Sequence, residues 1–196
     1  MEFADFAARA AAIEDEAADL ETVELVADLF SDARDDLEAV SRFVQGRLVP
    51  AHEDTKLDVG QNVTASDIES ELATVGEIGA VAERLDLGGQ RDLSAFGDAE
   101  EDPLSIAEVE ATLRSIATAS GGGSTDTKRD TLFGLFNRAE PLEARYLARL
   151  VLGEMRIGVG QGAVRDAIAE AFAVPPDAVE RALQVSNDCG FVARTA

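Results

Sequence analysis

The sequence has few of the residues on which most metal and redox sites depend. Cys189 is the only cysteine and His52 the only histidine. An internal disulfide is therefore excluded, and one histidine cannot build a zinc site by itself. Lysine is also scarce, since only Lys56 and Lys128 stand beside fifteen arginines. No metal site is predicted, and His52, next to Glu53 and Asp54, is interpreted as part of a surface loop.

Long apolar runs are missing as well. No stretch of about 18 uncharged apolar residues occurs, so we expect no membrane partner. The first residues are acidic from Glu2 onwards and lack the basic region of a secretory signal. The expected location is therefore the cytoplasm. A chain of 196 residues with 46% apolar side chains can form a single domain with a substantial core.

Acidic side chains dominate the composition. There are 39 of them against 17 basic ones, for a formal net charge of −22. Such a surface repels itself at low salt, but in multi-molar salt the Debye length falls below ~3 Å and the repulsion largely disappears. The acidity and the scarcity of lysine are therefore typical of salt-accumulating microbes. The alternative is an acidic protein that simply avoids polyanions.

The charge is unevenly distributed along the chain. Residues 1–102 carry 27 acidic and 7 basic side chains, whereas residues 103–196 carry 12 and 10. Within residues 111–165, eight basic side chains outnumber five acidic ones. Contact with a polyanion is one physical reason why a segment of so acidic a chain would be spared from acidification.

Apolar residues recur at helical spacing and predict an all-α fold. Phe3, Phe6, Ala10 and Ile13 share one helical face, and a similar pattern runs from Leu37 until Pro50 stops it. No alternating stretch is long enough to predict a strand. Further helices are predicted at about 65–75, 77–85, 105–119, 127–138, 141–153, 162–173 and 176–186, with Ser66, Ser105, Thr125 and Asp177 as caps at or near their starts.

A weak internal repeat suggests how this helical domain is organised. Residues 42–46 (RFVQG) resemble residues 149–153 (RLVLG), and VGQ at 59–61 resembles VGQ at 159–161. We therefore predict one compact domain, 1–196, of two pseudo-symmetric halves that each contain a helix–turn–helix. The halves span about 1–87 and 104–196, joined by an acidic connector at about 88–103. Chance similarity among alanine-rich helices is the alternative.

Two glycine-rich loops, 120–125 and 158–162, each lead into a predicted helix. The N-terminus of a helix presents unpaired N–H groups, and glycine lets a phosphate approach them closely. Neither loop is a nucleotide motif: GVGQGA is not GxGxxG after a strand, and GGGSTDTK lacks the Gly-Lys-Ser/Thr ending. The loops therefore favour phosphate contact without a bound nucleotide. A simple helix stop is the alternative.

Residues 141–160, PLEARYLARLVLGEMRIGVG, resemble the N-terminal DNA-binding domain of archaeal and eukaryotic ATP-dependent DNA ligases. The resemblance extends over the whole chain. It includes MEFA at 1–4, QGRLVP at 45–50, the loop at 119–124, AIAEAF at 167–172 and SNDCG at 186–190.

The resemblance implies a domain that binds nicked duplex DNA through its sugar–phosphate backbone and minor groove, without sequence preference, in replication, repair and recombination. By position, Arg156, Gly158 and Gly160 match the family's phosphate-contacting loop, whereas Glu154 stands where relatives can carry a base. With the second loop and the neighbouring bases, the expected DNA-binding residues are Gly121, Gly122, Gly123, Ser124, Thr125, Lys128, Arg129, Arg156, Gly158, Gly160, Gln161, Gly162 and Arg165.

The lysine on which ligase chemistry depends is not found. That chemistry needs the nucleophile of a Lys-x-Asp-Gly motif. KLDV at 56–59 misses the glycine by one place, and KRDT at 128–131 lacks it. We therefore expect no catalytic residue in this chain, and interpret it as the N-terminal part of a longer enzyme. The adenylation and OB domains, with their ATP and Mg²⁺, would lie outside it. A small independent enzyme is not supported, because no nucleophile–base pair is evident.

Residues 90–97 (QRDLSAFG) resemble the peptide by which proteins bind sliding clamps. Gln90, Leu93 and Phe96 have the required spacing, which would place the Leu and Phe in one apolar pocket. Gly97 replaces the second aromatic residue of such peptides. Alternatively, Leu93 and Phe96 pack back onto the domain. The motif leaves a second hypothesis open, a helical interaction module that recruits its parent protein to a sliding clamp.

Overall fold

The computed structural model describes residues 1–50, 53, 102–119 and 124–196, and every regular element in these ranges is a helix. The all-α prediction is confirmed. The helices are α1 (Phe3–Asp15), α2 (Asp19–Ala33), α3 (Leu37–Phe43), α4 (Ile106–Thr118), α5 (Ser124–Arg138), α6 (Pro141–Val151), α7 (Gln161–Ala171), α8 (Pro176–Ser186) and α9 (Cys189–Thr195), with a short 3₁₀ turn at Arg34–Asp36.

The predicted helices of the C-terminal part are confirmed, with differences at their ends. Ser105 caps α4 as predicted, because its side chain accepts a hydrogen bond from the backbone N–H of Glu108 at 3.2 Å. Thr125 and Asp177 are not caps: α5 already includes Ser124, and α8 begins after Pro175. The predicted helices 65–75 and 77–85, with Ser66, lie outside the described residues.

The N-terminal helical pattern ends earlier than predicted. α3 stops at Phe43 instead of continuing to Pro50, because Gly46 adopts a positive φ of 69° and turns the chain. In the same way, α6 ends at Val151, two residues before the predicted end, and is followed by Gly153 at φ 72°. Both corrections therefore have one cause, a glycine that accepts the left-handed backbone conformation.

One continuous core holds the helices together. α2 packs most extensively against α7, α3 against α9, and α1 against α6. The predicted apolar face of α1 is buried, and the Phe6 ring meets Phe43 of α3 edge-on at 5.9 Å between centroids. Backbone hydrogen bonds also join the start of the chain to the segment before α4, since the N–H of Phe3 donates to the Leu104 carbonyl at 2.7 Å. The core thus draws on residues from both predicted halves.

Among the described residues, Arg42 and Arg149 lie inside this core, and each is paired with a carboxylate. Arg42 is 3% exposed; its Nε and Nη2 donate to the two carboxylate oxygens of Asp188 at 2.9 and 2.7 Å, and Nη2 also donates to Glu38 at 2.6 Å. Asp188 in turn caps α9 by accepting from the N–H of Gly190. Burial raises the pKa of Asp188, but its hydrogen bonds to Arg42 outweigh this and hold the pKa below its ordinary value. Asp188 is therefore a carboxylate at neutral pH.

Arg149 makes a corresponding arrangement with Glu14 at the end of α1. Its Nη1 and Nη2 donate to Glu14 at 2.8 and 3.0 Å, and the Tyr146 hydroxyl and Arg145 donate to the same carboxylate at 2.8 and 3.0 Å. Burial raises the pKa of Glu14, but Arg149, Tyr146 and Arg145 together lower it below the ordinary value. Because a buried guanidinium is costly without partners, both arginines fix which helices pack together.

The chain segments that follow Arg42 and Arg149 have the same local structure. Gly46 donates to Phe43 at 2.8 Å and Arg47 to Arg42 at 3.0 Å, while Gly153 donates to Leu150 at 3.0 Å and Glu154 to Arg149 at 2.9 Å. This is the helix-ending pattern in which a left-handed glycine satisfies the last carbonyls. The 42–46 and 149–153 repeat therefore has a structural basis. The division into pseudo-symmetric halves stays a prediction, since residues 59–61 are not among those described.

The two glycines differ in their surroundings, which gives a matched test. A Cβ added to Gly46 would lie 2.9 Å from the backbone C and O of Gly153, whereas one added to Gly153 meets only the Gly46 oxygen at 3.7 Å. Gly153→Ala should therefore cost about 1 kcal/mol of unfolding free energy, from its positive φ alone. Gly46→Ala should cost ~2 kcal/mol more, because backbone must move. Urea unfolding measures both, and equal losses would contradict the close contact of the two turns.

Candidate nucleic-acid interface

The turn between α6 and α7 presents the first predicted loop to solvent. Met155 and Ile157 are each 2% exposed and anchor the turn in the core, whereas Arg156, Gly158 and Gly160 point outward and are exposed. Arg149 fixes the base of the turn, since its Nη1 donates to the Met155 carbonyl at 3.2 Å. The outward position of three predicted contact residues is thus set by the buried ones between them.

The glycines of this turn are not all required by the protein itself. Gly158 has a φ of 76°, which favours glycine. Gly160 and Gly162 have no positive φ, and a Cβ added to either would meet no atom within 4 Å. Neither close packing nor backbone strain therefore explains their lack of a side chain. The missing side chains leave open space beside the backbone, which an external group needs in order to approach it closely.

The start of α7 leaves its first N–H groups available. Its N-cap is Gly160, which has no side chain to accept a hydrogen bond, and its first turn contains no acidic residue. The unpaired N–H groups of the first turn therefore carry the partial positive charge of the helix end. Gln161 and Gly162 occupy this turn and are both exposed. The structure thus brings the predicted residues from Arg156 to Gly162 together at one helix start.

The two arginines beside the turn are engaged with acidic neighbours. Arg156 donates to Glu154 through Nε at 2.7 Å, and its Nη2 lies 2.5 Å from the same oxygen. Arg165 makes a two-point contact with Asp166 at 2.7 and 2.9 Å and lies 3.6 Å from Glu180. The Asp166 carboxylate raises the pKa of Arg165. These exposed pairs are weak, so a stronger anion can replace the carboxylate.

Several of the basic residues predicted to face a polyanion instead form ion pairs within the protein. Arg114 pairs with Glu110 at 2.9 Å, Arg138 pairs with Glu108, and Arg145 and Arg149 both bind Glu14. The excess of bases in 111–165 therefore reflects, in part, ion pairs with acidic residues that lie outside the segment. The charge count alone overstated the size of the candidate interface.

The second predicted loop is only partly described. Gly121, Gly122 and Gly123 lie outside the described residues, as do the side chains of Ser124, Thr125 and Arg129. Lys128 is half-buried in α5, which packs against α4. The clamp-motif residues Gln90, Leu93 and Phe96, together with Lys56 and His52, also fall outside the described part of the chain. Their predicted roles stay predictions.

Sequence reasoning missed two residues near the turn. Gln45 and Arg47 follow α3, yet Gln45 lines the depression formed by residues 153–160, and both line a groove against the start of α7. In the sequence, residues 45–50 were singled out only as part of the resemblance to DNA ligases, and no contact role was predicted for Gln45 or Arg47. The internal repeat was the available signal, because it predicted that the turns after Arg42 and Arg149 are equivalent.

Cys189 is a buried, packed residue. Its thiol donates to the Ser41 carbonyl at 3.2 Å, and burial raises its pKa to about 11.

Among the described helices, none has the length and apolar character needed to cross a bilayer.

Comparison with known proteins places the chain in a family. The family described as DNA ligase N terminus matches residues 2–169. The whole chain is 64% identical to a DNA ligase of Natronomonas pharaonis and 54% identical to one of Haloferax volcanii, covering 38% and 40% of those proteins. It is 39% identical to DNA ligase 2 of Methanosarcina acetivorans over 99% of the chain and 37% of that protein.

The chain thus spans about two fifths of the length of these relatives, at their N-terminal end. Several of the relatives come from halophilic archaea, in agreement with the acidic composition. The match over residues 2–169 and the identity to these enzymes show that the chain belongs to the DNA ligase N-terminus family.

Proposed function

We propose that this chain binds duplex DNA through the sugar–phosphate backbone, on the minor-groove side and without sequence preference, as the N-terminal part of a DNA ligase. Its natural target would be nicked DNA in replication, repair and recombination. The observation that carries the proposal is the exposed start of α7. There, Gly160 and Gly162 leave bare backbone and open space beside N–H groups that no side chain caps.

Neutral N–H donors suit a protein of this charge. A chain of net charge −22 repels DNA at low salt. High salt screens that repulsion, but it also weakens contacts that depend on arginine and phosphate charge. Backbone N–H groups at a helix start carry no full charge, so their hydrogen bonds depend less on salt. The interface proposed here therefore combines a few arginines with bare backbone.

Arg156 has to exchange partners when DNA binds. In the free protein its guanidinium is paired with Glu154, and a phosphate would take the place of that carboxylate. The freed carboxylate then attracts a cation from solution, which offsets part of the cation release that normally accompanies DNA binding. The pair thereby reduces both the affinity gained from Arg156 and its dependence on salt.

We infer that the adenylation chemistry belongs to the remaining three fifths of the relatives' length. Lys56 and Lys128 are the only lysines, and neither lies in a Lys-x-Asp-Gly motif. ATP and Mg²⁺ would accordingly be used by that part of the enzyme. The role proposed for this chain is to hold the DNA on which the rest of the enzyme acts.

Gly162→Ala tests the proposed backbone contact. Alanine should stabilise the helix start by about 0.5 kcal/mol, since its methyl group meets open space. The same methyl group should weaken duplex binding at least about fivefold, because it displaces the phosphate from the N–H groups. Thermal unfolding and fluorescence anisotropy measure the two effects.

Gly134→Ala is the matched control for that variant. Gly134 is an exposed helical glycine of α5 whose added Cβ also meets no atom. It should gain similar stability and keep the affinity of the parent chain. Unchanged affinity in Gly162→Ala as well would contradict a phosphate at the start of α7.

The Arg156 exchange is tested by a double-mutant cycle with Glu154. Glu154→Gln should strengthen duplex binding about two- to fivefold, the equivalent of one exposed ion pair. Arg156→Ala should lower the slope of log affinity against log salt by about 0.9 in the Glu154→Gln background, and by less in the parent. The losses of affinity and of salt dependence caused by Arg156→Ala should be the same for DNA of any sequence.

Anisotropy titrations over a range of potassium chloride give the four slopes. If Arg156→Ala changes neither affinity nor slope in either background, Arg156 does not contact phosphate. Equal slope changes in the two backgrounds would reject the exchange with Glu154 while keeping the contact.

A further inference from the structure

We infer that the groove between the turn after α3 and helices α7 and α8 is a second binding site for DNA phosphate. The inference rests on the proposed function and extends it to residues outside the loop 156–162. The site would be centred on Arg47 and lined by neutral carboxamide groups. It would hold a phosphodiester of the same DNA that contacts Arg156.

The groove is a built concavity of about 420 Å³. Its lining includes Gln45 and Arg47 after α3, Gln161 and Gly162 at the start of α7, and Asn187 between α8 and α9. Gln45 also lines the depression of about 330 Å³ formed by residues 153–160. Since both concavities share Gln45, the groove continues the surface on which the turn presents Arg156.

Arg47 differs from the other partly buried arginines of the described chain. Arg42, Arg114, Arg138, Arg145, Arg149 and Arg165 each pair with at least one carboxylate. Within the described part of the chain, Arg47 makes no ion pair or side-chain hydrogen bond, although acidic side chains outnumber basic ones by more than two to one in the sequence. Its backbone is fixed by the hydrogen bond from its N–H to Arg42. A half-buried, unpaired guanidinium at a groove is therefore available to an external anion.

Each acidic residue that lines the groove lies beside an arginine of the protein. Asp188 is bound at two points by Arg42, and Glu180 lies 3.6 Å from Arg165. The remaining polar side chains are the carboxamides of Gln45, Gln161, Gln184 and Asn187. Amide groups donate hydrogen bonds without carrying a charge that salt screens. Among the described residues that line it, the groove thus offers one unpaired cation, Arg47, together with neutral donors, and this combination suits a single phosphate.

A DNA strand bound at the start of α7 also carries the phosphate that the groove would bind. Each strand of duplex DNA carries one negative charge per ~3.4 Å along the helix axis. A strand with one phosphate at the start of α7 therefore presents further phosphates to adjacent surface. The groove is such a surface, because Gln161 and Gly162 belong to both sites.

Arg47→Gln tests the inference in the 196-residue chain. We expect it to weaken binding to an intact duplex about tenfold and to lower the salt slope by about 0.9. Arg47→Lys keeps the charge and should restore most of the affinity. Arg34→Gln is the matched control. Arg34 is exposed, has no ion pair with any described residue and does not line the groove, so its loss should change neither quantity. Circular dichroism melting checks that each variant is folded.

The possible outcomes separate this inference from the proposed function. If Arg47→Gln binds like the parent while Arg156→Ala is weakened, the groove holds no phosphate and the proposed function stands. If the folded parent binds no DNA at any salt, the proposed function fails and the inference fails with it. A loss in Arg34→Gln equal to that in Arg47→Gln would mean that only net charge was measured, and would also overturn the site.

Inorganic phosphate distinguishes the DNA backbone from a free anion. The parent chain is titrated with phosphate at constant ionic strength while the amide resonance of Gly162 is followed by NMR. We expect no saturable shift, because a single phosphate lacks the neighbouring contacts along a strand. Saturation that disappears in Arg47→Gln would show a site for free phosphate and would overturn its assignment to DNA.

Discussion

Burial of the guanidinium groups of Arg42 and Arg149 is the constraint on which the described architecture depends. Each guanidinium charge lies in the core, so each must be matched by a carboxylate in direct contact with it. Asp188 supplies this match from a segment 146 residues away, and Glu14 from one 135 residues away. The pairs thereby join α3 to the start of α9 and α6 to the end of α1. Removing one partner would leave an uncompensated buried charge, which is far more costly than losing a surface ion pair.

The candidate interface follows from this constraint through the turns. Arg42 and Arg149 each lie in the last turn of a helix whose last carbonyls are satisfied at a left-handed glycine, and the two turns touch at Gly46 and Gly153. Arg149 also holds the Met155 carbonyl, which fixes the exposed segment up to the start of α7. The core therefore positions the bare backbone that we propose to face DNA. It also places Gln45 and Arg47 beside that backbone.

Local patterns in the sequence predicted the helices well, because helix formation depends on residues close in the chain. The buried face of Phe3, Phe6, Ala10 and Ile13 follows from spacing alone, and Gly160 before α7 marks a helix start. Local patterns could not predict which side chains pair when the two residues are far apart in the sequence. Nothing local shows that Arg149 binds Glu14 or that Arg47 lacks a carboxylate. For the same reason, the bases of 111–165 were counted as a surface charge although several are internal.

The central claim is that this domain binds the DNA backbone without sequence preference. Fluorescence anisotropy with nicked, intact and single-stranded oligonucleotides, each in two unrelated sequences and across a range of potassium chloride, tests it most directly. The account predicts that both duplex forms bind more tightly than single strands and that the two sequences give equal affinities at every salt concentration. Binding that follows the base sequence, or no duplex binding at any salt, would contradict it.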